Sequence, residues 1–152
     1  GRRNTAGAMI TLTLPDKWVR KAIYDLVNGQ IVDGDPIPVF DRQSGGEFPQ
    51  KYVRILDQSS QSAATTKCGW RWTNDTIIEC FYRVPSKGNQ GSRLVADQIA
   101  EMVLTQLQGY DLDPGSGLNL IRWNVNSLTD LYLDDGTYIT ASKILSLTSF
   151  IN

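Results

Sequence analysis

Three carboxylates, Asp57, Asp75 and Glu79, fall on segments expected to be neighbouring strands, the way a metal-dependent nuclease presents acids to its ions. Such a site also requires a lysine two residues beyond the glutamate, on the same strand face, to stabilise developing charge; Phe81 stands there instead. Carboxylates on a solvated sheet face account for the same three residues without a metal. The acidic loops Asp33-Gly34-Asp35 and Asp111-Leu112-Asp113-Pro114-Gly115 lack the central glycine and terminal glutamate of a calcium loop, and turn chemistry explains both. Ser44-Gly45-Gly46 and Gly115-Ser116-Gly117 carry no following Lys-Ser/Thr, so they read as loops and not as phosphate cradles.

Histidine is absent, which removes the commonest general base near neutral pH and the commonest metal ligand. A serine nucleophile has no histidine to activate it, and no lysine lies in an apolar run where a Ser–Lys pair would need one. Cys68 and Cys80 form no CxxC pattern, which argues against a thiolate zinc site; two reduced thiols in a cytosolically made protein are expected. Trp70, Trp72 and Trp123 could stack on bases or sugars, but no cluster of basic residues surrounds them, with Arg71 and Arg122 as single neighbours, so packing in a core or an interface is favoured. The sequence therefore offers no catalytic, cofactor-binding or metal-ligating set, and the chain is expected to bind and not to catalyse.

Charge and composition narrow the class of partner. Fifteen basic and sixteen acidic residues leave a net charge of −1, which gives no electrostatic pull toward nucleic acid or an anionic membrane. No apolar run approaches the roughly 20 residues that span a bilayer. At 152 residues, with 41% apolar and 20% charged residues, one globular domain is expected, able to bury roughly 70% of its unfolded surface. Residues 1–8 look like an expression-vector remnant, Met9 reads as the native start, and residues 9–152 form the domain.

The elements that would hold such surfaces follow from periodicity. Trp18, Val19, Ala22, Ile23, Leu26 and Val27 recur at helical spacing behind Pro15, with Asp16 as a cap and Asn28-Gly29 as the stop. A short strand over Ile37–Phe40, flanked by Pro36 and Pro38, belongs at a sheet edge. Lys51–Asp57 alternates as a strand, and the polar run Gln58–Lys67 is a loop or an extended hairpin arm. Trp70–Val84 alternates over fifteen residues, long enough to predict a bend or bulge near Asn74-Asp75. Ser92 opens a second helix that ends near Gln108-Gly109, with Val95, Ile99, Met102, Val103 and Leu107 as its apolar stripe and Leu94 and Leu104 widening it. Strands over Leu118–Asn126 and Tyr138–Ile151 close the chain, joined by a polar stretch turning at Asp134-Asp135-Gly136. The order predicts an α+β domain: a mainly antiparallel sheet with two helices packed on one face.

An N-terminal helix, a Pro-flanked strand leading to FPQKYVRI, a polar loop, the long strand TIIECFYRV, the turn KGNQGSR, the helix LVADQIAEMVLTQL and a final strand pair together resemble the tail-terminator, or tail-completion, proteins of long-tailed bacteriophages and prophages. The resemblance covers most of the chain from Met9 onward. It implies an α+β subunit of a six-fold homo-oligomeric ring in the tail or neck of a virion assembled in the host cytoplasm. Such a ring stops tail-tube growth and presents a surface to head-completion or connector proteins, so its partners are other copies, the tail-tube protein and the connector. It implies no catalytic residue and no cofactor. On this reading the arm residues Gln58, Ser59, Gln61, Thr65 and Lys67 reach a neighbouring subunit or line the lumen, and Arg71, Glu79 and Arg83 on the polar strand face are further interface candidates. A head-closure or connector subunit, and a non-viral binding module or histidine-free enzyme, remain as alternatives.

Overall fold

The structure is a computed structural model that describes residues 13–41, 49–62, 71–87 and 92–152. Its elements run α1 (Asp16–Val27), β1 (Gln30–Val32), β2 (Asp35–Ile37), β3 (Val39–Asp41), β4 (Lys51–Ser62), β5 (Trp72–Pro85), α2 (Ser92–Gln106), β6 (Leu120–Asp134) and β7 (Tyr138–Ile151). β1 and β2 form a hairpin, and the other strands make a five-stranded sheet in the order β3-β4-β5-β7-β6. All pairs in that sheet are antiparallel except β3 with β4. The domain is α+β, with both helices on one face of the sheet.

The core forms where the two periodicities meet. Val19, Ala22, Ile23 and Val27 lie three or four residues apart and line one side of α1; Ala96, Ile99, Ala100 and Val103 do the same on α2. They pack on alternate sheet residues Val53, Ile55, Ile78, Cys80, Leu145, Leu147 and Ile151. Each fully buried branched side chain contributes about 1.5–3 kcal/mol of hydrophobic free energy, so this seam is the main source of cohesion.

Several local expectations are corrected. Asp16 does not cap α1: Pro15 occupies the N-cap, and the Asp16 carboxylate accepts instead from Asn74 and Ser60. The expected strand at Ile37–Phe40 is split between β2 and β3, because Asp33 and Gly34, both at positive φ (50° and 81°), fold the chain into a tight hairpin first. β3 does lie at the sheet edge. The irregularity expected near Asn74-Asp75 sits on the partner strand: β4 shifts register between Ile55 and Gln58, while β5 stays in register along β7. Gln58–Ser62 pair with β5 as a hairpin arm; the rest of that polar run, from residue 63, lies outside the described residues. Leu94 points outward from α2, 61% exposed, and does not widen its stripe.

The largest departure is β6. The stretch expected to be a polar connection continues the strand to Asp134, because its backbone pairs with β7 from Ser127 to Asp134. The expected turn follows: Asp134 Oδ1 accepts from Gly136 N–H, and Asp135 Oδ1 accepts from the N–H groups of Thr137 and Tyr138.

Candidate interaction surfaces

Opposite the helices, the sheet presents a second face built from the other half of each strand. Tyr52, Arg54 and Ser59 of β4 lie beside Phe81, Glu79 and Asp75 of β5. Continuing outward, Thr148, Ile144, Ser142 and Thr140 of β7 lead to Asn124, Thr129, Leu131 and Leu133 of β6. Among the described residues no helix packs here. Phe40 meets Tyr52 edge-on at 5.6 Å and Tyr52 stacks on Phe81 at 4.4 Å, so one end of the face is an aromatic row. The row ends at Phe81, which with Leu131, Leu133, Thr140 and Ser142 lines an adjoining shallow apolar depression toward β6.

The polar groups on this face are largely spoken for. Glu79 is buried, and its Oε1 accepts from Arg54 Nε (3.0 Å) and Nη2 (2.6 Å). Asp75 Oδ1 accepts from Thr148 Oγ1 at 2.6 Å. Arg83 lays its guanidinium 4.1 Å from the Tyr138 ring centroid, and Arg122 does the same over Phe150. These acids therefore act as partners of neighbouring side chains, and among the described residues no three His, Cys, Asp or Glu gather as a metal site.

Of the residues singled out from the sequence, Ser59 and Gln61 stand exposed on the arm, Arg71 is exposed just before β5, and Arg83 is exposed near its far end. Arg71 is tied to the fold through its backbone N–H, which donates to Ile151 O at 2.7 Å. Gln58 works inside the molecule: its amide donates to Asp16 O and Thr76 Oγ1 and accepts from Arg20 Nη1 at 2.6 Å. It joins the buried Asn74 and Thr76 in a polar network that anchors the arm to the start of α1. Thr65, Lys67 and Cys68 lie outside the described residues. Cys80 is a free, fully buried thiol, and burial pushes its pKa well above the ordinary value.

Sequence reasoning placed a strand over Leu118–Asn126 but missed its continuation, which carries β6 on to Asp134. β6 is the terminal strand of the sheet on its side among the described residues, fifteen residues long where about five or six is usual. Leu128, Leu131, Tyr132 and Leu133 are each about half exposed or more. The signal was present in Leu128-Thr129-Asp130-Leu131-Tyr132-Leu133, whose apolar residues fall on both strand faces. Asp130 is drawn inward, 3.0 Å from Lys143 Nζ, and Lys143 also reaches Asp97 on α2 at 3.1 Å. The Lys143 hydrogen bond holds the Asp130 carboxyl below its usual range, and the Asp130 and Asp97 carboxylates raise Lys143 in return.

Among the described residues no helix is long and apolar enough to cross a membrane. No protein-family profile and no curated protein matches the chain. Among solved structures, a chain from the "Virion of native gene transfer agent (GTA) particle" aligns over 97% of this chain and 98% of its own length, at 10% sequence identity and a TM-score of 0.47.

Proposed function

We propose that this chain is a virion assembly protein of the tail-terminator kind, working by recognition and without catalysis. In this reading it forms a homo-oligomeric ring at the head-proximal end of a phage-type tail, ends tube growth and receives the connector. Support comes from the order of elements described above. The observation that carries the reading is the placing of apolar surface: a helix-free sheet face with an aromatic row joins a long open strand edge, while the polar side chains between them are paired within the chain. That arrangement suits docking against flat protein surfaces more than enclosing a small molecule.

Immunogold labelling of intact particles with antibody against this chain tests it. Label at the head–tail junction is the expected result. Label on the capsid shell or distal tail, or a particle free of the chain, overturns the reading. A pocket that turns over a substrate, and loses that turnover on replacement of one polar side chain, overturns the non-catalytic part.

A further inference from the structure

Helices in one layer pack about 8–10 Å apart and strands about 4.8 Å apart, so two helices cover about four strands. Here α1 lies against β3 and β4, and α2 lies against β5 and β7. Among the described residues the helix layer therefore stops short of β6, the fifth strand. On the helix-bearing face of β6, Leu128, Asp130 and Tyr132 stand opposite Leu145, Lys143 and Ala141 of β7. Leu145 and Ala141 are buried, but Leu128 and Tyr132 are about half exposed. The result is a groove with β6 as its floor and α2 as one wall. Wall and floor are tied together: Arg93 reaches Asp130 at 3.6 Å, and Lys143 reaches Asp130 at 3.0 Å and Asp97 at 3.1 Å. Along the strand the groove reads apolar, acidic, apolar.

The far flank of the molecule carries a matching ridge. Val19, Ala22, Ile23 and Val27 take the inward side of α1. Lys17, Lys21 and Tyr24, four and three residues apart, share its outward side, and Leu14 lies just ahead of the helix. Leu14 is 61% exposed and Tyr24 47%. This ridge reads apolar, basic, apolar. Leu14 to Tyr24 spans about 15 Å at the helical rise, and Leu128 to Tyr132 about 14 Å at the strand rise. The charges oppose as well. Asp97, Asp130 and Asp134 outnumber Arg93 and Lys143 in the groove, while Lys17 and Lys21 outnumber Asp25 on the ridge.

We propose that the outward ridge of α1 on one copy seats in the groove between β6 and α2 of the next copy, and that this contact, repeated head to tail, closes the ring. Ridge and groove lie at opposite ends of the strand order, beside β3 and β6. Each contact therefore leaves one ridge and one groove open for further copies, which is the condition for a heterologous ring. The β6 backbone edge and the helix-free face, with Leu131 and Leu133, take no part and stay available to other proteins. A ridge of three helical turns in such a groove buries on the order of 1,000 Å² in total, the low end of a specific interface. Each copy makes the contact twice, so closure strengthens what a single contact holds weakly. The inference rests on the ring reading above and names the surfaces that form it.

Cysteine pairing in the full chain tests it, in a Cys68→Ser background. A mixture of Tyr24→Cys and Leu128→Cys chains should give a disulfide-linked dimer under mild oxidation, and neither variant alone should. Replacing Leu128→Cys in the mixture by Ile121→Cys, equally exposed near the other end of β6, should slow cross-linking about tenfold. Lys17→Glu, an exposed change that leaves circular dichroism unaltered, should slow the Tyr24–Leu128 cross-link about threefold. Tyr24→Cys/Leu128→Cys in one chain should give a ladder ending at the full ring. Equal rates with Ile121→Cys, a Lys17→Glu rate like the parent's, or a dimer from Leu128→Cys alone as fast as from the mixture overturns the proposal. Rings in negative stain without the cross-link overturn this contact and leave the virion reading standing, and absence of both rings and cross-link overturns it too. Cross-linked rings from a chain that immunogold does not find at the head–tail junction uphold the contact and overturn the virion reading.

Discussion

Replacing Arg54 by Met should destabilise the chain by about 2–3 kcal/mol, because it strands a buried carboxylate on the helix-free sheet face. The Glu79 side chain is 10% exposed and its Oε1 takes two hydrogen bonds from the Arg54 guanidinium, which is itself 25% exposed. Breaking a fully buried pair costs about 3–5 kcal/mol, and access of water to Arg54 places this pair below that range. Glu79→Gln keeps the volume and an acceptor, and leaves a cation that can turn toward water, so about 1 kcal/mol is expected. Arg54→Met/Glu79→Gln removes both charges and should lie within about 1 kcal/mol of the parent, giving a coupling of about 2 kcal/mol. Urea unfolding followed by tryptophan fluorescence measures all four chains, with the m-value unchanged if the compactness of both states is preserved. An Arg54→Met loss under about 0.5 kcal/mol, or a double variant worse than Arg54→Met alone, would refute the claim that this part of the face is desolvated within a single subunit.

Other consequences are as direct. Leu145→Ala empties a fully buried position in the seam between α2 and the sheet and should cost about 2–5 kcal/mol in the same assay. Asn74→Ala leaves Asp16, Ser60 and Thr76 without a shared partner and should cost about 1–3 kcal/mol, with hydrogen exchange rising first in the β4–β5 arm. Asp113, Asp130 and Asp135 are held below the usual carboxylate range, by the Gly115 N–H, the Lys143 ammonium and the Tyr138 N–H respectively. The unfolded chain therefore binds more protons than the folded one in acid. The stability these groups confer is present above about pH 4 and lost as pH falls through their depressed values, and Asp135→Asn should flatten that part of the urea-midpoint profile. In a Cys68→Ser chain, Ellman's reagent should find no reactive thiol until denaturant exposes Cys80.

The helices and the core strands were legible because burial imposes period on sequence. Ile99, Val103 and Leu107 must recur as they do if α2 is to lie on the sheet, and Ile78, Cys80 and Val84 must alternate beneath it. Where long-range pairing decides, local pattern is silent. The apolar residues between Leu128 and Leu133 fall on both strand faces and make no regular alternation, so the strand is fixed only when β7 is there to pair with it, and the β4 bulge is set by β4's fit to β5 and not by Asn74-Asp75. The parallel placement of β3 on β4 depends on the β1–β2 hairpin turning the chain first, a consequence of two positive-φ residues whose Asp-Gly signal was read as a turn without the strands that flank it.

The interface candidates divide along the same line. Residue type marked Gln58 and Glu79 as surface groups, yet each is committed to partners that folding brings from far along the chain: Asp16 and Arg20 for one, Arg54 for the other. Polar side chains on this sheet are therefore poor guides to where a partner docks, since the fold consumes many of them in keeping itself satisfied. Apolar side chains that remain exposed after the internal partners among the described residues are counted are better guides, because the described core has left them out. Leu131 and Leu133 meet that criterion on a strand whose backbone edge is also open among the described residues. A partner that hid those residues without pairing the edge, or paired the edge without hiding them, would resolve only half of this part of the exposed surface, so a protein laid along β6 is expected to do both.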